Sequence, residues 1–133
     1  MKTAVIFWSG TGNTEAMAQA VADGAGAELF SVSEFKGSVS DYDRIAFGCP
    51  SMGDEILEES EFEPFFAEVE GELSGKKIAL FGSYGWGDGE WMRNWEEACI
   101  ADGAVMACDS VICNEAPDDD ALAACTALGA ALV

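Results

Sequence analysis

Apolar and polar positions along the chain alternate between two periods. Lys2–Trp8 is a near-continuous apolar run, as in a parallel strand buried on both faces. From about Thr14 to Ala25 the spacing becomes helical, with Met17, Ala20, Val21 and Gly24 at i, i+3, i+4 and i+7. The alternation then repeats. Glu28–Val32 predicts a second strand, Ser33–Asp43 a polar connection that can hold one helical turn, and Arg44–Cys49 a third strand. Pro50–Ser60 reads as a loop. Glu61–Gly71 predicts a helix with Phe62, Phe65, Phe66 and Val69 on its apolar side. Lys77–Ser83 predicts a fourth strand, Tyr84–Gly89 a glycine-rich loop, Glu90–Ala101 a helix and Ala104–Ile112 a fifth strand. Asp118–Val133 predicts a last helix. Its three leading aspartates suit the helix dipole, and Leu122, Cys125, Leu128 or Gly129, and Leu132 would face the sheet.

Five strands alternating with helices predict an α/β fold, a parallel sheet covered on both faces and built as one domain over residues 1–133. In such folds ligands bind outside the carboxyl ends of the strands, where strand order reverses. The loops after the first, third, fourth and fifth strands should therefore carry the chemistry.

Charge narrows the function. The net charge is −19 with only six Lys and Arg, which opposes binding to nucleic acid or anionic membranes. The same charge favours solubility and steering toward basic partners. There is no histidine, and Cys49, Cys99, Cys108, Cys113 and Cys125 form no CxxC pair. Reduced, mostly buried thiols and no metal site are expected. No apolar run approaches membrane-spanning length and Met1-Lys2 leads straight into the first strand, so a cytoplasmic monomer is expected.

The loop after the first strand reads Ser9-Gly10-Thr11-Gly12-Asn13-Thr14. At a strand-to-helix turn, free N–H groups converge and the dipole favours an anion. Glycines let the backbone approach closely, and the Ser9, Thr11 and Thr14 hydroxyls and the Asn13 amide can donate to oxygen. A phosphate monoester suits this set. The loop has no lysine, so it is not a P-loop, and Glu15 stands where GxGxxG needs its third glycine. The plainer alternative is a polar turn with Thr14 as helix cap. The second loop, Cys49-Pro50-Ser51-Met52-Gly53-Asp54-Glu55, sets a thioether beside a glycine and acids. The third, Gly82 to Gly89, mounts Trp86 between glycines, a placement better suited to stacking on a flat ring than to a core. Trp91 and Trp95 stand i, i+4 on a helix and fit core or rim packing. Together the loops fit a flat heterocycle with a phosphate tail.

These residues resemble the flavodoxins, specifically the short-chain type of anaerobic bacteria. The resemblance covers essentially the whole chain. It is carried by Ser9–Thr14, by Met52-Gly-Asp-Glu-Ile-Leu-Glu-Glu-Ser-Glu-Phe-Glu-Pro64, by Gly75-Lys-Lys-Ile-Ala-Leu-Phe-Gly-Ser-Tyr-Gly-Trp-Gly-Asp88 and by Asn114-Glu-Ala-Pro117. The strand before Asn114 is expected to run unbroken, without the insertion of long-chain members. The resemblance implies a three-layer flavodoxin-like fold with a five-stranded parallel sheet in the order 2-1-3-4-5. It also implies FMN as cofactor. The phosphate would lie in the loop of Trp8, Ser9, Gly10, Thr11, Gly12, Asn13 and Thr14. The isoalloxazine would lie between Met52 and Trp86. Glu55 would receive the ring N3–H and Gly53 would sit opposite N5, within the stretch Pro50, Ser51, Met52, Gly53, Asp54 and Glu55. Ser51 and Asn114 would approach the ribityl chain or ring, with Ser83, Tyr84, Gly85, Trp86 and Gly87 along the ring edge.

The implied role is a low-potential one-electron carrier for basic-faced redox proteins such as ferredoxin- or flavodoxin-dependent oxidoreductases, and not an enzyme. Gly53 can reverse its peptide cheaply and accept the N5–H of a neutral semiquinone. Asp54, Glu55, Glu58, Glu59, Glu61 and Glu63 would oppose the anionic hydroquinone and steer partners, or else form a solvated face. A phosphorelay receiver needs acids and a lysine where Trp8-Ser9, Cys49-Pro50 and Cys113-Asn114 stand. A flavin-dependent NAD(P)H or quinone reductase has no nicotinamide domain here and no Arg cluster. A flavin-storing domain leaves the Met52–Gly53 pair unexplained.

Overall fold

The apolar runs become strands in the computed structural model, which describes residues 2–53 and 55–133. Four strands follow the sequence closely: β1 (Thr3–Phe7), β2 (Glu28–Ser31), β3 (Arg44–Gly48) and β4 (Lys77–Tyr84). All pairing is parallel, β1 between β2 and β3, and β3 beside β4. The last place in the 2-1-3-4-5 order is filled twice, by β5 (Val105–Met106) and β6 (Val111–Asn114).

The expectation of one unbroken strand over Ala104–Ile112 is thus corrected. Ile78 pairs with Met106 and Phe81 with Val111, so three steps on β4 face five on the edge. The two surplus residues bow out within 107–110. Asp109 and Ser110 favour a turn there, and an edge strand tolerates a break because its outer side has no ladder to maintain.

Four α-helices cover the sheet: α1 (Asn13–Ala25), α2 (Phe62–Val69), α3 (Glu90–Ala101) and α4 (Asp119–Leu132). Short 3₁₀ turns occupy Val39–Asp41 and Glu70–Glu72, the first inside the polar connection. Strand alternation sorts the core into two layers. Ile6, Ile45, Phe47 and Leu80 face α2 and α3, where Trp95 meets Phe62 and Phe66 edge-on at 5.4 and 5.7 Å. Val5, Phe7, Ala46, Ala79 and Phe81 face α1 and α4, meeting Met17, Val21, Cys125 and Leu128. On α1 the buried row is Met17, Ala18, Val21 and Ala22. Gly24 turns instead toward α4. A Cβ on Gly24 would lie 2.0 Å from the Thr126 carbonyl oxygen, and one on Gly129 would lie 2.1 Å from that of Val21. The two helices touch backbone to backbone.

The start of α2 is built by a residue outside it. Glu61 flanks the helix without a side-chain cap. Glu58, three residues earlier, is buried and accepts from the Glu61 and Phe62 N–H groups at 2.8 Å each, from the Ser60 N–H at 2.8 Å and from the Ser60 hydroxyl. Burial opposes its ionisation, but these hydrogen bonds outweigh it and hold its carboxyl below the usual glutamate value.

Two outcomes follow. Gly129→Ala should lower stability by about 1–3 kcal/mol through overpacking, although helix propensity alone predicts a gain of up to ~1 kcal/mol. Urea unfolding decides the sign. Glu58→Ala should lose about 1–2 kcal/mol at pH 7, the range of a lost cap. A depressed carboxyl stabilises fully above its unfolded pKa of roughly 4.3. That stabilisation fades as pH falls through the lower folded value, so the parent and variant should converge in acid. A constant gap between them down to the acid limit would refute the cap.

Candidate functional site

The carboxyl ends of the strands converge on a cleft of about 530 Å³. It is lined by Trp8, Ser9, Gly10, Thr11, Asn13 and Thr14 from the first loop, Pro50, Ser51 and Met52 from the second, and Ser83, Tyr84 and Gly85 from the third. Gly12, Gly53, Glu55, Trp86, Gly87 and Asn114 do not line it, and Asp54 lies outside the described residues.

The first loop presents donors without acceptors. Gly12 precedes α1 and gives it no side-chain cap, so Thr14 is not the cap but the second helical residue. The Ser9 hydroxyl accepts from the Gly12 and Glu15 N–H groups at 3.1 and 3.2 Å, which curls the loop and leaves its own proton to donate. Among the described residues, the N–H groups of Thr11, Asn13 and Thr14 find no acceptor. Thr14 Oγ1 lies 3.0 Å from Ser83 Oγ, tying the first loop to the end of β4. This is a nest of backbone and hydroxyl donors at a helix N-terminus, and it fits a phosphate monoester. No Lys or Arg lines the cleft.

The second loop is a closed turn. Met52 and Ile56 exchange both backbone hydrogen bonds, at 2.8 and 3.0 Å. Gly53 sits between them at φ +52°, and open space surrounds the position its Cβ would take. Glu55 also has a positive φ, 59°, uncommon for a residue with a Cβ. Its compensation is visible. The buried Glu55 carboxylate reaches under Gly87, and Oε1 accepts from the N–H groups of Asp88, Gly89 and Glu90 at 3.2, 3.1 and 2.9 Å. Glu55 therefore caps α3 across the chain, because Gly89 has no side chain to do so. Spacing along the sequence held no sign of this contact, apart from a helix that starts on glycine.

Aromatic side chains divide as their settings suggest. Met52 is 39% and Trp86 67% exposed, apolar surfaces on two different loops with nothing packed over them. Trp91 is buried and donates to the Cys49 carbonyl at 3.2 Å, and Trp95 is core. Tyr84 leans on Trp91 with ring centres 5.5 Å apart. Trp8 is half-buried, and its indole N–H donates to Glu61 at 3.1 Å. Asn114 turns from the cleft to donate to the Tyr84 carbonyl at 3.2 Å, and Glu115 and Ala116 line the cleft in its place. Glu115 gets there through a φ of 58°, with its N–H on the same carbonyl at 2.7 Å.

All five cysteines are free. Burial pushes the Cys49 thiol up to about 12, so it is an inert neighbour of the cleft and not a nucleophile. Among the described residues, no three His, Cys, Asp or Glu side chains are grouped to hold a metal, and no helix is long and apolar enough to cross a membrane.

Comparison with known proteins agrees with this geometry. The family model for flavodoxin matches residues 5–129. Flavodoxins of Megasphaera elsdenii and Clostridium beijerinckii are 47% and 46% identical over 121 residues, in each case 86% of this chain and 88% of the relative. The solution structure of two-electron reduced Megasphaera elsdenii flavodoxin superposes with a TM-score of 0.82 at 44% identity, covering 98% of this chain and 97% of that one. A flavodoxin from the domain Archaea superposes at 0.86 with 28% identity, over 99% and 96% of the two chains. The chain belongs to the flavodoxin family, electron carriers whose cofactor is FMN.

Proposed function

We propose that the protein is a low-potential one-electron carrier, one domain with non-covalently bound FMN, that works between the neutral semiquinone and the hydroquinone. FMN supplies the electron-accepting ring when bound. The chain's own residues set how it is held and which charge states are favoured.

The phosphate would be received by the unfilled N–H groups of Thr11, Asn13 and Thr14 and by the hydroxyls of Ser9, Thr11 and Thr14. Pro50, Ser51, Ser83 and Gly85 would flank the ribityl chain and ring, while Met52 and Trp86 would cover the ring faces and so lose their exposure. Oε2 of Glu55 is the acceptor left for N3–H, since Oε1 is held by α3.

The observation that carries the reading is the turn around Gly53. Reciprocal bonds between Met52 and Ile56 pin its two ends, and Glu55 is fastened to α3. Gly53, next to the first of these anchors, is the position without a Cβ. A glycine there can bring its carbonyl toward N5 at no Cβ cost, and it would accept the proton that arrives with the first electron. A neutral hydrogen bond of this kind is worth about 0.5–1.5 kcal/mol net. For the second electron, surrounding carboxylates and apolar ring contacts oppose a further negative charge. Basic-faced redox proteins in the cytoplasm are the partners this charge would attract.

Stepwise anaerobic reduction tests the proposal. The holoprotein should pass through a blue one-electron state before bleaching, and it should not turn over NADPH by itself. Gly53→Val should accumulate about two- to tenfold less of that state, the equivalent of one lost hydrogen bond. Nothing stands near the added Cβ, so the loss would report the strain of a β-branched residue at a φ of +52° and not a clash with a neighbour. Bleaching of the parent in a single two-electron step would sink the proposal.

A further inference from the structure

A second groove, of about 400 Å³, opens between α2 and α3 and shares only Glu55 with the residues assigned to the cofactor. Phe66, Trp91 and Trp95 form its floor, and Ala67 and Ala98 are the small residues on its two walls. Glu59, Glu63 and Glu70 stand on its rim, and no Lys or Arg lines it. The groove adjoins the cofactor cleft by two routes. Its near end is Ile56, whose backbone is bonded to Met52 of the cleft. Its floor residue Trp91 packs on Tyr84, which lines the cleft from the other side.

The charge around this groove selects its occupant. Lys2, Arg44, Lys76 and Lys77 all stand at the amino ends of strands, across the sheet from the cofactor edge. Arg93, on α3, is paired with Asp88 at 3.0 Å. Lys36 stands in the polar connection after β2, and none of the six cations lines the groove. At its far end, burial first and then the neighbouring Asp102 carboxyl push the Glu70 carboxyl up, and Asp102 Oδ2 is buried with no hydrogen-bond partner among the described residues. An acidic occupant would be repelled, and a purely apolar one would bury these carboxylates unpaired.

We propose that this groove is the docking site for the redox partner, receiving an apolar side chain flanked by Lys or Arg beside the exposed cofactor edge; the assignment rests on the electron-carrier reading. The apolar anchor fixes orientation on the tryptophan floor, and the flanking cations pair with the rim.

The test compares holoprotein variants as electron acceptors of a ferredoxin-dependent oxidoreductase, by stopped flow at low salt. Ala67→Trp fills the groove and should lower the second-order rate constant about tenfold, as loss of an anchor pocket does. Glu63→Gln removes one rim charge and should lower it about two- to fivefold. Glu68→Gln makes the same charge change on the same helix but faces away from the groove, toward Phe35 and Val39, and should stay within about 1.5-fold. Should Ala67→Trp fail to fold, Ala98→Trp closes the opposite wall. Equal losses from Glu63→Gln and Glu68→Gln, with Ala67→Trp undiminished, would overturn the groove and leave electron carriage standing. A wild-type holoprotein that dithionite reduces but that exchanges no electrons with the enzyme would remove the carrier reading, and the groove with it.

Discussion

Every helix begins at the carboxyl edge of the sheet, and every helix start exposes N–H groups that need an acceptor. Three of the four starts are satisfied by carboxylates. Glu58 serves α2, Glu55 serves α3 from a different loop, and Asp118 accepts the Ala121 N–H at 2.8 Å for α4. Only α1 is left open, flanked by glycine and short hydroxyl side chains. A carboxylate cap there would contribute about 0.5–2 kcal/mol of stability and block the anion site. The chain gives up that contribution at one helix, and that helix start is where an anion can bind.

The same carboxylates shape what can move. Glu55 and Glu58 bracket the second loop and fasten it to two helices on one face of the sheet. Between those anchors Gly53 has no Cβ to oppose a change of its backbone angles. Glu58 is thus no member of a solvated acidic face, although its neighbours Glu59, Glu61 and Glu63 are exposed. Exposed acids stand at both edges of the sheet, among them Glu59, Glu61 and Glu63 beside the cleft and Glu28, Asp43 and Glu72 opposite it, whereas Lys2, Arg44, Lys76 and Lys77 all stand at the opposite edge. The acids beside the cleft therefore have fewer cations near them, and a basic partner would be drawn to that side.

The sequence carries much of this because periodicity and loop composition are local properties. The alternation of Val5 and Ile6, or of Ala46 and Phe47, assigns each residue to a layer. The glycines and hydroxyls between Ser9 and Thr14 announce an anion nest without any partner elsewhere. What could not be read depends on contacts between distant segments. Glu55 meets α3 across 33 to 35 residues, and no spacing rule relates the two. The break at 107–110 depends on β4's register, since Ala107 and Cys108 continue the apolar run in composition. The motif brings Asn114 to the end of the last strand, but the direction of its amide, toward the Tyr84 carbonyl, depends on a residue 30 positions away, and Glu115 and Ala116 line the cleft.

On the proposed assignment, a chain of net charge −19 would hold a phosphate in a cleft that no Lys or Arg lines. Dipoles are sufficient at contact distance, because N–H groups act on the oxygens they touch while most carboxylates lie in water and are screened beyond about 8–10 Å. Dipoles also act only locally, which matters for the redox chemistry. A lysine clamp about 10 Å from the ring would lower the energy of an added negative charge by roughly 0.4–1.7 kcal/mol for effective dielectric constants of 80 to 20. That attraction would work against the carboxylates that disfavour the anion. Binding the phosphate through neutral groups would separate the two tasks. The tail would be held by α1, and the field at the ring would be left to the acids of the second loop.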